Sequence, residues 1–256
     1  MSYLHEQRRA RLQSIDFGDT VIGSRSFVIE EESIAAPAGP GATIVPGATI
    51  AFGEGITSDL RTDLEDALLL SSLAADQKAS RRYPSREWYA EYVTWLETCG
   101  FLVTTQVFQR RSTARQNFEI AKEALEIIGA ISSGAASLVV LEKALTALSE
   151  QADEQGLIKL FESESNFAGD GAFQLGEAKL SGDRRVAMPL GLFAFRSSSV
   201  KRKFLFFSWD ADAIELFASA SEVIFNQDDY APLRSLVQEK LHRRRSERLS
   251  RLTLSL

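Results

Sequence analysis

The sequence predicts an α/β (α+β) fold whose central sheet is covered by helices on both faces, and three observations lead there. Over residues 185–197, Val186, Met188, Leu190 and Leu192 fall on one face at period two, while Ala187, Phe193 and Phe195 fall on the other. Residues 204–209, Phe-Leu-Phe-Phe-Ser-Trp, are apolar on both faces too, so residues 201–209 read as a second central strand beside the first. Strands without a solvated face belong in the middle of a sheet, and helical periodicities on either side of them supply the cover. With 256 residues, 45% hydrophobic composition and 16 phenylalanines, the chain is large enough to build such a core without staples.

The elements follow in order. Residues 1–33 are charged and mixed, with a strand expected at 26–30. Residues 34–55 are rich in Ala, Gly and Pro and hold two hexads, Pro-Gly-Ala-Thr-Ile-Val from Pro40 and Pro-Gly-Ala-Thr-Ile-Ala from Pro46. Stacked hexapeptide coils need a third repeat to bury a continuous core, so this stretch reads as a turn-strand-turn-strand connector. It divides an arm and connector, residues 1–57, from a helix-sheet-helix body, residues 58–256. Residues 58–76 are helical, with Thr62 and Glu65 at capping-box spacing and Leu60, Leu64, Ala67, Leu68 and Leu73 as the apolar stripe. Ser85 caps a second helix in which Trp88, Tyr92, Trp95 and Cys99 recur at steps of four, three and four, and Gly100 stops it. A strand is expected at 101–108, a helix at 113–130 and another at 134–151 carrying Leu138, Leu141, Leu145 and Leu148. The uncharged junction from Ile127 to Leu141 is rich in Gly, Ala and Ser, which suits a tight helical hairpin and also a bilayer. A helical turn at 157–161, a glycine-rich loop at 166–171 and a strand at 173–180 come next. A hairpin turn at 181–183 leads into the central strand, and residues 197–199 link it to its partner. Residues 213–220 extend the sheet. Asp228 or Asp229 then caps a last helix with Pro232 in its first turn and Leu233, Leu236, Val237 and Leu241 as its apolar positions.

Much chemistry is excluded. His5 and His242, the two histidines, lie in charged terminal segments, which leaves a Ser or Cys nucleophile without a promising base. No nucleophile elbow, P-loop, zinc-protease helix or Cys/His metal spacing occurs. The remaining enzyme reading is a hydrolase working through two close carboxylates in a polar cleft. Trp88, Tyr92, Trp95 and Cys99 share one aromatic face, where a thiol is either an inert small hydrophobe or an acylated one that puts a lipid chain into the same layer. Net charge is −6, yet residues 240–251 hold six basic residues against Glu247. Arg243, Arg244, Arg245 and Arg248 form either a solvated helix face or a contact for anionic lipid. Nucleic acid is disfavoured, because the tail lacks interleaved aromatics and the remainder is acidic. No apolar run reaches about 18 to 20 residues, and the first residues show no apolar signal core. Synthesis as a soluble protein, with any release by a non-Sec route, is the expectation.

The order of elements around Pro189-Leu-Gly191 and Phe204-Leu-Phe-Phe207, closed by the helix from Tyr230 to Leu241, resembles the Cyt cytolytic delta-endotoxins and the Erwinia virulence factor (Evf) family. The likeness covers roughly residues 115–241. It implies a single-domain sandwich, a mainly antiparallel sheet wrapped by helices, with lipid as ligand: pore-forming strands in the one family, a fatty-acyl chain held between helices and sheet in the other. On that reading the chain is a non-enzymatic, virulence- or toxin-like bacterial protein that meets lipid or a membrane surface and self-associates there. Its cofactor is none, or a bound or thioester-linked fatty acid. Trp88, Tyr92, Trp95, Cys99, Phe204 and Phe206 are the candidate acyl contacts. A rival reading is a soluble interaction module that docks a partner through its arm and basic tail.

Overall fold

The computed structural model describes residues 3–17, 40–45, 47–82, 85–104, 109–111, 117–131, 138–150, 161–162, 165–167, 169–181, 185–198, 204–241 and 250–253. The strand expected at 26–30, the turn at 157–160 and Arg243, Arg244, Arg245 and Arg248 lie outside them.

The centre is β8, Arg185–Ser197, at the bounds its alternation predicts. Val186, Met188, Leu190, Leu192 and Ala194 point to one face, Phe193 and Phe195 to the other. β7 (Asp170–Leu180) is antiparallel to it on one side, the turn expected at 181–183 lying outside the described residues beyond Ser181, and β10 (Ile214–Asn226) is antiparallel on the other. This pairing overturns the expectation for residues 201–209. With β7 and β10 occupying both edges of β8, no edge remains for a third strand, and Phe204 and Leu205 form a turn buried against the sheet instead. Among the described residues of that stretch only β9 (Ser208–Asp210) is extended, in a two-stranded ribbon with β5 (Asn117–Glu119). The two hexads are the hairpin β1 (Gly41–Val45) and β2 (Ala48–Phe52), and β2 runs parallel to β7. β3 (Phe101–Val103) and β4 (Gln109–Arg111) line the outer edge of β10, β6 (Asn166–Phe167) pairs with the start of β7, and β11 (Ser250–Thr253) pairs with β1. The result is a mainly antiparallel sheet, nine-stranded among the described residues.

One face carries α1 (Tyr3–Ser14), α2 (Ser58–Lys78), α3 (Arg86–Thr98), α6 (Gln227–Tyr230) and α7 (Arg234–Leu241). The other carries α4 (Ile120–Gly129), α5 (Val139–Glu150) and the Phe204 turn. Several boundaries move for physical reasons. Thr57, not Thr62, caps α2, its hydroxyl accepting from Leu60 N–H. Ser85 does precede α3, but it stands at φ 54° and gives its hydroxyl to the Arg81 carbonyl rather than to the helix. α4 starts at Ile120 because Phe118 is claimed by the ribbon opposite Trp209. The last helix is split: Asn226, not Asp228 or Asp229, caps α6, and Pro232 lies in the break before α7. Periodicity gives no sign of α1 because it is polar almost all round, with Leu12 its buried residue.

Two glycines mark close approaches. A Cβ on Gly191 would stand 2.5 Å from the Phe193 ring and 2.8 Å from Ile128, so α4 sits directly on β8. Gly100, at φ 91°, ends α3 and lets the Tyr230 backbone pass, its would-be Cβ 3.3 Å from Tyr230 N.

Polar contacts fasten the α2–α3 layer to the sheet. Arg61, 1% exposed, donates to Glu65 at 3.1 Å, to the Ala42 carbonyl and to Thr43 on β1, and Thr43 donates to Glu65. Asp63 accepts both arms of Arg234, at 2.7 and 2.6 Å, which ties α2 to α7. Tyr89 places its hydroxyl 3.0 Å from the Phe173 carbonyl of β7 and 2.5 Å from the Phe193 carbonyl of β8. Removing one partner of a buried pair strands the other charge, so Glu65→Ala should cost about 3–5 kcal/mol in denaturant unfolding, with Arg61→Leu/Glu65→Met recovering most of it. A Glu65→Ala loss below about 1 kcal/mol would show that Arg61 is solvated rather than locked.

Candidate functional site

The helical spacing of α3 sets one side of the candidate site. Trp88, Tyr92, Trp95 and Cys99 are all buried on the face the sequence assigns them, at 0, 0, 3 and 0% exposure. Trp88 and Tyr92 stack at 5.1 Å, and Trp88 Nε1 donates to Asp76 at 2.7 Å. Arg81 lies over the Trp88 ring and forks onto Asp76 at 2.6 and 2.8 Å. Tyr230 enters from α6 against Phe225, its ring 5.4 Å away. It joins the Cys99 end of α3, as the Gly100 contact requires.

Around the thiol the environment is dry and rich in polar atoms. Burial pushes Cys99 up from 9.0 to about 12, with the Ser71 hydroxyl and then Arg8 opposing the shift. Burial also raises the Tyr92 and Tyr230 phenols, helped at Tyr230 by the Asp66 carboxyl. Tyr92 Oη, Trp95 Nε1 and Tyr230 Oη have no hydrogen-bond partner among the described residues. Each such group costs about 1–3 kcal/mol when buried. Cys99 is thus out of solvent in the aromatic layer, its thiol held toward the protonated form by burial.

Phe204 and Phe206 belong elsewhere. Phe204 stacks on Phe195 at 4.8 Å and on Phe161 at 5.9 Å, and it meets Phe173 edge-on at 5.6 Å. Trp209 Nε1 fastens the turn by donating to the Phe204 carbonyl at 2.9 Å. This cluster lies on the α4–α5 face, and half-buried Phe206 packs against it. The sheet therefore separates Phe204 and Phe206 from Trp88, Tyr92, Trp95 and Cys99, so the six residues form two sites rather than one.

Beneath α4 and α5 the three long strands present Phe173 and Leu175, Phe193 and Phe195, and Ile214, Leu216 and Ala218. The opposite face of the same strands carries Gln174, Ser219 and Ser221, all buried. The α4–α5 layer contacts the sheet through apolar side chains, and Glu177 of β7 accepts from Leu141 N–H at 2.8 Å in the first turn of α5 while pairing with Lys179 at 3.0 Å. Sequence reasoning misses Glu177 and Tyr230. The one visible signal is a lone carboxylate in the otherwise uncharged run Gln174-Leu-Gly-Glu-Ala178. Among the described residues, no group of His, Cys, Asp and Glu could hold a metal ion, and no helix is long and apolar enough to cross a membrane.

The Cys99 shift has a signed consequence for stability. The unfolded thiol loses its proton first, so its contribution is whole below pH 9 and is lost as pH rises toward 12. Between pH 8 and pH 10.5 the wild type should lose up to about 2 kcal/mol more than Cys99→Ala in guanidinium unfolding. Equal losses would mean that the thiol is already hydrated.

No family model matches the chain, and no curated protein does. Solved structures similar to it include a delta-endotoxin, at 12% identity over 82% of this chain and 91% of that one, with a TM-score of 0.35. The Evf virulence factor is similar at 14% identity over 77% and 82% of the two chains, with a TM-score of 0.37. The activated Cyt2Ba monomer from Bacillus thuringiensis subsp. israelensis is similar at 13% identity over 51% and 77%, with a TM-score of 0.28. The likeness is a distant one of fold, and what those proteins bind or act on does not pass to this chain through it.

Proposed function

We propose that this chain is a non-enzymatic, membrane-interacting protein in which the α4–α5 layer is a releasable cover over an apolar sheet face. The observation behind this reading is the asymmetry of the two helical layers. On one side Arg61 and Tyr89 reach buried polar partners on the strands. On the other, apolar side chains dominate and Glu177 is the latch. Lipid tails replace apolar protein contacts at little cost but cannot replace buried hydrogen bonds, so a bilayer competes for the α4–α5 face and not for the α2–α3 face.

Strand length supports the same reading. A membrane-spanning strand needs about 9–11 residues, and β7, β8 and β10 have 11, 13 and 13. Toward α4–α5 these strands present phenylalanine, leucine and isoleucine, while the other face is apolar along β8 and holds the buried Gln174, Ser219 and Ser221 on β7 and β10. The arginines at 243–245 and 248 would contribute about 1 kcal/mol each at an anionic surface. The toxin-like cast of the proposal, with self-association at the membrane, rests on the sequence resemblance over residues 115–241, and a fatty-acyl chain is assigned to Cys99, outside that span, because it is the only thiol of the chain.

Flotation and dye release with phosphatidylserine-containing and purely zwitterionic vesicles test the proposal. Binding should favour the anionic vesicles and weaken with salt. Glu177→Ala should raise binding several-fold, while Tyr89→Phe, which cuts a bond on the other face, should not. Failure of the wild type and of Glu177→Ala to bind either vesicle would refute the membrane reading. Intact mass of the purified protein tests the acyl chain separately, as an added acyl mass that Cys99→Ala lacks.

A further inference from the structure

α1 is attached unlike the other long helices described. Of its twelve residues Leu12 alone is buried, with Ile15 just beyond, whereas α2 buries fifteen of twenty-one. Its other ties are polar, and Arg8 among them is itself largely buried, its side chain 12% exposed. Arg8 faces Asp229 at 3.5 Å, and Lys240 donates to the carbonyls of Ile15 at 2.6 Å and Gln13 at 3.4 Å. Gln77 donates to the Asp16 carbonyl at 2.6 Å, and the Arg11 guanidinium lies 5.5 Å over the Trp95 ring. Those of these ties that are exposed contribute little individually, so the helix is held by Leu12, by Ile15 and half-buried Phe17 beyond its end, and by a handful of polar anchors.

What adjoins it is the polar interior described above. Trp95 lies under Arg11, and Tyr230 is the neighbour of Asp229, which Arg8 contacts. Trp95 Nε1, Tyr92 Oη and Tyr230 Oη lack partners among the described residues when α1 is in place. Lifting the helix would let water reach these groups, and their hydration offsets part of the cost of exposing Leu12 and Ile15. The long helix with the fewest buried residues thus sits beside buried groups that gain from solvent.

We propose that α1 is a strap that lifts as a unit while the rest of the fold stays intact, and that it gates access to Cys99, the only thiol of the chain. The opening is sub-global, as expected for an element with few buried contacts. It controls when the thiol meets any electrophile, whether or not the protein engages a membrane.

Alkylation of Cys99 by N-ethylmaleimide, followed by intact mass under native conditions, tests the gate. Arg8→Ala/Lys240→Met, which cuts two anchors, should accelerate modification tenfold or more. Leu145→Ala, in the core of the opposite face, should lower global stability and leave the rate unchanged. Rates that follow global stability in every variant, or no acceleration in the double variant, would overturn the proposal. Should the double variant fail to fold, hydrogen exchange of the wild type decides. Amides of α1 exchanging well ahead of those of α3 support the strap, and joint exchange overturns it.

Discussion

A strand with no solvated face obliges the rest of the chain to bury it twice, and β8 is that strand. Its two edges are satisfied by β7 and β10, and its two surfaces by two separate helical layers. Two helical layers are required, because neither alone would keep Val186 to Leu192 and Phe193 with Phe195 dry: α4 and α5 take one face, and α1–α3 with α6 and α7 take the other. Gly191 belongs to the same logic, since only a residue without a side chain lets Ile128 of α4 come close enough to close the second face.

The two layers solve the burial problem with different forces. On the α2–α3 side, buried Arg61, Glu65 and Tyr89 reach strand atoms directly, which fixes register and resists exchange for any apolar medium. On the α4–α5 side, phenylalanines stack through Phe161, Phe173, Phe195 and Phe204, a packing whose strength depends on excluding water rather than on particular partners. That difference makes one layer a scaffold and the other a cover.

Much of this is legible in the residues themselves. β8 has the bounds its alternation indicates, the hexads form adjacent strands, and α3 turns the face marked by Trp88, Tyr92, Trp95 and Cys99 inward. What local patterns do not encode is partner choice. Phe204 to Trp209 has the composition of a strand, but both edges of β8 are already taken, and the segment becomes a plug on its face. Phe118 fits a helical stripe as well as a strand, and its pairing opposite Trp209 decides between them. α1 is invisible because it buries almost nothing, and the polar neighbours of Cys99 come from Ser71 and Tyr230, far apart in sequence. The separation of Phe204 and Phe206 from the Cys99 site by the sheet is likewise a property of topology, not of spacing.

The claim that one layer is a scaffold and the other a cover is tested most directly by hydrogen exchange with the protein bound to anionic vesicles. The account predicts that amides of α4 and α5 lose protection on binding while those of α2, α3 and the central strands keep theirs. Retained protection in α4 and α5, or loss first in α2 and α3, would contradict it.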